Sequence, residues 1–255
     1  MTLNEQETVQ LVHLCLDMGE QMIQAGAEVN RVEDTLTRMG KAYGALETDV
    51  FVITSSIIIT MHFPNGTELT QTRRMPSVSN VNFARLEKLN ALSRTCSTSP
   101  LSIDALRHEL EKQETIPAFF VYASRMLGAG SFAVFFGGTL YDGLAAALFA
   151  VLICYLQRHF SKLCPTPVVF NLFTALISGV GIALAARMIP ALHMDKIMIG
   201  DIMLLIPGLA MTNAVRDILM GDTISGIMRL IESLLWAVAL ACGFMAAIWL
   251  TGGIA

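Results

Sequence analysis

The sequence predicts an α-helical polytopic membrane protein: about five transmembrane helices, one broken at a Pro-Gly pair, behind an N-terminal mixed α/β cytoplasmic domain. Three observations carry that prediction. Of 255 residues, 54% are hydrophobic, more than the roughly 45–50% of soluble domains. Charge is uneven, with 25 of the 38 charged residues in residues 1–116. From residue 117 onward, apolar runs of bilayer length, about 20 residues, recur near 117–137, 139–157, 168–188, 197–217 and 225–250. The expected division is a cytoplasmic α/β domain over 1–116 and a five-helix transmembrane domain over 117–255.

Within the front domain, Val9, Val12, Leu16 and Ile23 fall near helical spacing and predict a helix over 5–25. After "AGAE" (25–28), "VNRVEDTLTRMGKAYG" reads as a second amphipathic helix ending at Gly44. "DVFVITSSIIITMHF" is rich in β-branched and aromatic residues and predicts a strand. "PNGT", built on Asn65-Gly66, predicts the turn, and "ELTQTRR" the return strand. Two more helices are expected near 79–95 and 102–114. "EKQETIPAFF" then passes from charge to apolar run without a low-complexity linker, which predicts a domain held close to the bilayer.

Net charge is −4, about −5 in the front part and +1 behind. No basic patch of nucleic-acid type appears, so that partner is excluded. "MTLNEQETVQ" lacks a basic flank and an apolar core. It is therefore expected not to be a signal peptide, and to start in the cytoplasm. With the N-terminus inside, inner loops hold Arg158, Lys162, Arg216 and Arg229, and outer loops Arg187 and Lys196. The bias favours N-in, C-out. Cys15, Cys96, Cys154, Cys164 and Cys242 form no C-x-x-C pair and read as small hydrophobes. No metal or cofactor site is legible.

The polar residues behind residue 117 are the candidates for chemistry. Pro207 cannot complete a helical hydrogen bond and clashes with the preceding turn, and Gly208 adds backbone freedom. In lipid such a break persists only where protein or a water-filled cavity covers it. It is either a packing kink or an opening on a substrate or ion path of the transporter kind. Asn213, Arg216 and Asp217 share one helical face at i, i+3 and i+4. Asp217 can hold the Asn213 amide or pair with Arg229, or the group is simply a solvated helix end. Arg125 either snorkels to the headgroups or meets an anionic substrate. Asp142, after "GGTLY", reads as a helix cap. Asp201, Asp217 and Glu232 are the candidate proton-coupling carboxylates, although Asp201 can equally face the outer interface. "GAG" (128–130) and "SGVG" (178–181) allow close helix approach, as in a packed bundle or a homo-oligomer.

These segments resemble the threonine/serine exporter family. "GAEVNRVEDTLTRMGKAYG" (Gly26 to Gly44) is similar to its opening motif, which marks Gly26, Glu28, Arg31 and Glu33. "TQTRR" (Thr70 to Arg74) with Asn82 resembles the next segment and marks Arg73 and Asn82. "GGTLYDG" (Gly137 to Gly143) resembles a family turn. "PGLAMTNAVRDILMGDTISGIMR" is the most specific, matching at Pro207, Gly208, Asn213, Asp217, Gly221, Gly226 and Arg229.

The resemblance implies the larger subunit of a split exporter. It would act with a small four-helix membrane partner in a bacterial inner membrane, on small carboxylate solutes such as threonine, serine or succinate. Secondary transport driven by the proton gradient is the implied mechanism. Pro207, Gly208, Asn213, Asp217, Arg229 and Arg125 are then the candidate path or gating residues. Arg125, Asp201 and Arg216 depart from the family pattern and become candidates for substrate choice.

Two other classes compete. A membrane-anchored sensor or scaffold would bind a ligand or partner through the front domain. A membrane-anchored enzyme would use Glu28, Arg31, Glu33 and Asp34 with Arg73, Arg74 and His62. "HELEK" (108–112) lacks the second His of a zinc-protease helix, however, and neither G-x-S-x-G nor a P-loop occurs. The chain is therefore expected not to be an enzyme.

Overall fold

The structure, a computed structural model, describes residues 4–75, 81–112, 117–161 and 163–252. Residues 113–116 of the expected junction and Lys162 of the loop-charge reading lie outside them. The chain forms two compact units. One comprises Met1–Glu114 with Leu209–Leu230, and the other Thr115–Gly208 with Ile231–Ala255. The division at 116/117 therefore leaves out a second segment: residues 209–230 pack with the front unit.

In the front unit α1 (Glu5–Gln24) begins at a capping box, with Asn4 and Glu7 satisfying each other's backbone N–H. Its stripe of Leu11, Cys15, Met18 and Met22 is buried, as the helical spacing requires. α2 (Val29–Ala42) buries Val32, Leu36 and Met39. The long β-branched run proves to be two strands. β1 (Glu47–Ile53) and β2 (Ser56–His62) meet at a turn on Thr54-Ser55, and β3 (Glu68–Arg74) returns beside β2 in an antiparallel β1-β2-β3 meander. Ile57, Ile59 and Met61 point into the core while their neighbours do not, the two-residue period of a half-buried sheet. α1 packs on β2 and β3, and α2 packs on β1. α3 (Phe83–Thr98) and α4 (Ile103–Glu111) close this core.

The second unit is helical. α5 (Ala118–Phe135), α6 (Leu140–His159), α7 (Pro167–Met188) and α10 (Thr223–Leu250) are each long and apolar enough to cross a membrane. At 1.5 Å per residue they measure roughly 27–42 Å, against a hydrocarbon core of about 30 Å. The expected crossing over 197–217 is not a single helix. It is α8 (Met194–Ile202), then residues 203–207, then α9 (Gly208–Leu219), which belongs to the front unit. Pro207 stands immediately before α9, where its missing N–H is tolerated. Four helices are thus of crossing length among the described residues, not five.

Small residues set the helix approaches. A Cβ on Gly130 would lie 2.8 Å from the Gly143 carbonyl oxygen, and one on Gly200 would lie 2.5 Å from that of Ala129. α6 is therefore in backbone contact with α5, and so is α8. A Cβ on Gly179 would lie 2.7 Å from the Ala247 Cβ of α10. The "GAG" and "SGVG" segments do what small-residue stripes do in membranes.

Candidate functional site

Two polar constructions stand out, one in each unit. The first lies at the corner between α1 and α2. Gly26 turns this corner at φ +98°, a conformation that favours glycine. A Cβ there would also lie 2.9 Å from Val81 Cγ1. The corner's carbonyls are held from two sides. The Asn82 N–H donates to the Ala25 oxygen at 3.1 Å, and Asn213 Nδ2 donates to the Gly26 oxygen at 3.0 Å. Asn82 also caps α3, its Oδ1 accepting from the Arg85 N–H.

Glu28 occupies the cap position of α2 but makes no capping bond; its carboxylate pairs with Arg216. One turn on, Glu33 accepts the Val52 N–H at 2.8 Å and ties α2 to β1. α9 brings Asn213, Arg216 and Asp217 to this corner on one face. Asp217, 1% exposed, pairs with Arg229 of α10 at 3.1 Å. Gly226 makes the α9–α10 hairpin tight: a Cβ there would lie 2.7 Å from the Ala214 carbonyl oxygen. The result is four acids (Glu28, Glu33, Asp217, Asp222) around two arginines.

Burial raises the Asp217 carboxyl above its ordinary range, against the pull of Arg229 and the Val29 N–H, with Asp222 adding to the rise. Glu33 is likewise raised by burial, opposed by the Val52 N–H. These shifts mark a desolvated charge cluster, and its pattern is that of a brace: Glu28, Glu33, Asn213 and Asp217 each hold a neighbouring element. Arg73 lies apart, binding Asp17 at 2.5 Å and Glu20 at 3.1 Å on α1. Arg31 is exposed on α2.

The second construction is in the membrane-type unit. Asp142 caps α6 in a capping box with Thr139. It also accepts the His193 backbone N–H at 2.6 Å and meets His193 Nδ1 at 3.0 Å. Nothing in the sequence spacing announces His193, which stands 51 residues away. Asp201, in the last turn of α8, is 0% exposed, and neither carboxyl oxygen has a hydrogen-bond partner among the described residues. Arg125 reaches the Cys154 thiol on α6. Glu232 is exposed on α10. Pro207 and Gly208 flank the start of α9, and a Cβ on Gly208 would meet nothing within 4 Å. Among the described residues no cluster of three or more His, Cys, Asp or Glu is placed to hold a metal ion.

The family profile described as "Putative threonine/serine exporter" matches residues 13–251. A "Probable threonine/serine exporter" of Mycobacterium tuberculosis is 21% identical over 95% of this chain, which spans only 46% of that protein's length. A "Probable succinate transporter subunit YjjP" of Klebsiella aerogenes is 23% identical over 94% of this chain and 91% of its own. No solved structure matches. Apolar helices of crossing length, small-residue contacts between them and a profile match over nearly the whole sequence agree: this membrane protein belongs to the threonine/serine exporter family.

Proposed function

We propose that the chain is one subunit of an inner-membrane secondary exporter of small carboxylate metabolites, threonine- or serine-like amino acids or dicarboxylates such as succinate. It would act with a small four-helix membrane partner. The carrying observation is one of proportion. The chain aligns with nearly all of a protein named a probable succinate transporter subunit, but with less than half of a protein named a probable threonine/serine exporter.

In this reading the N-terminus is cytoplasmic and the fourth of five crossings is made by α8 and residues 203–207 together. Non-helical backbone at that depth is stable only where it lines a cavity or is covered by protein, and transporters place such breaks at their ion and solute sites. Arg125, Pro207 and Gly208 are the path residues of this arrangement. Asn213, Asp217 and Arg229 brace the α9–α10 hairpin that follows.

The test is efflux from cells lacking their own exporters, preloaded with threonine, serine and succinate, expressing this chain with and without a small family partner. Efflux requiring both chains is expected, and the fastest solute assigns the class. No efflux of any of the three, with both proteins in the membrane, refutes the proposal. Pro207→Ala that inserts normally and exports at the wild-type rate removes the break from the mechanism.

A second reading, a ligand-sensing front domain, draws support from a groove of about 550 Å³ against α1 and α4, lined by His13, Asp17, Gln21, Arg107 and Glu111 among others. A metabolite that binds the full chain and fails to move across the membrane would favour it.

A further inference from the structure

We infer that Asp201 is held in its protonated form inside the helical unit and is the group through which this subunit takes up and releases a proton. The argument starts from contrast. The same unit buries a second carboxylate, Asp142, with every provision a charge requires: two backbone N–H groups, the Thr139 hydroxyl and the His193 ring. Asp201 is equally buried and has none of these among the described residues. The buried apolar core of this unit includes Ala133 of α5, Ala146 of α6, and Ile197 and Met198 of α8, the helix that carries Asp201. A carboxylate stripped of water and of partners neutralises itself by keeping its proton.

The elements packed on α8 are α5, α6 and α7, and the charged groups and histidine that they carry are Arg125, Asp142, Arg158, His159 and Arg187. Arg125 of α5 reaches Cys154, and Asp142 of α6 is held by Thr139 and His193. Arg158 and His159 lie in the last turn of α6, and Arg187 in that of α7. On α8 itself, Asp195 and Lys196 pair with each other at 3.0 Å. Among the described residues, neither Asp201 oxygen meets a hydrogen-bond partner that could hold a charge.

Its place in the helix adds to this. The last turn of α8 carries the negative end of the helix dipole, which disfavours a carboxylate. Gly200, in backbone contact with α5, keeps that turn inside the core. The chain then leaves the helix at residues 203–207, so the acid stands where a small rearrangement of the break admits water.

The chemistry is a plain proton transfer. In the closed arrangement the O–H bond is intact. When water reaches the group from one side the bond breaks, the proton passes to water, and the carboxylate recovers a proton from the other side before the core closes. No electron is exchanged. That this cycle drives solute movement rests on the exporter reading, whereas the protonated state does not.

The test has two arms. Infrared spectra of purified full-length protein are compared with those of Asp201→Asn at neutral pH. The wild type is expected to show a protonated-carboxyl C=O band that the variant lacks, and indistinguishable spectra overturn the inference. In proteoliposomes containing both subunits, Asp201→Asn is expected to keep solute exchange and to lose accumulation driven by a pH gradient. A variant that accumulates solute like the wild type overturns the coupling role. A wild type that moves no solute sinks the exporter reading, and the infrared arm then decides on Asp201 alone.

Discussion

Replacing Arg229 with Met tests the brace between α2, α9 and α10. The substitution keeps much of the side chain's bulk but removes the charge that faces Asp217. The pair is 11% and 1% exposed at 3.1 Å, so solvent does not take over the role of the lost partner. Removing one partner of such a pair costs about 3–5 kcal/mol. The opening of α2 and α9 should then accelerate by about two to four orders of magnitude.

pH provides the sharper discriminator. Burial already raises Asp217 above its ordinary value of 3.8. The folded chain therefore holds that proton more tightly than the unfolded chain, and stability falls as pH rises through the folded-state value. Without Arg229 the value rises further, so the defect should be large near pH 7 and shrink on acidification. Hydrogen exchange of the full-length protein in detergent, followed over α2 and α9 and corrected for intrinsic rates, measures both. Adding Asp217→Asn to Arg229→Met should restore most of the protection. Unchanged protection at pH 7, or a loss that acid does not relieve, refutes the reasoning.

Three other perturbations follow from the same geometry. Gly26→Ala must hold φ +98° with a Cβ 2.9 Å from Val81 Cγ1; a loss of about 1–2 kcal/mol is expected, read as faster exchange at the α1–α2 corner. Gly200→Ala places its Cβ 2.5 Å from the Ala129 carbonyl oxygen, whereas Gly208→Ala meets open space. The first should lower the thermal midpoint by the equivalent of about 1–3 kcal/mol and the second should stay within about 0.5 kcal/mol, and equal midpoints would contradict the packing argument. Arg216→Ala removes a partner that is 57% exposed, so its effect on stability should not exceed about 1 kcal/mol, and a larger loss in the exchange assay would mean that the Glu28 pair is not surface-like.

Residue types told much about the fold, and contacts across long sequence separations told the rest. The helical spacing of Val12, Leu16 and Ile23 and the four long apolar runs were legible because each is a local periodicity or a local average. Thr54-Ser55 was passed over because it has none of the Gly, Pro or Asn that mark tight turns, so two strands read as one. Residues 197–217 read as one crossing broken at Pro207-Gly208, because proline marks the break but hydropathy, averaged across the stretch, does not register that the chain already leaves the helix after Ile202. Asp201 stood out as an acid in an apolar run; that its oxygens lack partners depends on α5, α6 and α7 and could not be read from spacing. The Asp142–His193 pair was hidden for the same reason.

The motif residues carry the same lesson into mechanism. Gly26 and Asn213 are 187 residues apart, and each is written into a different signature, yet one amide donates to the other's carbonyl. The signatures are therefore two halves of one joint. That joint ends in α10, whose first eight residues, through Leu230, belong to the front unit while the remainder belongs to the helical unit. α10 is one uninterrupted helix over both parts. α8 and α9 make the other passage, and there residues 203–207 interrupt the helix. The chain thus passes between the two units once as continuous helix, in α10, and once through a break, at residues 203–207.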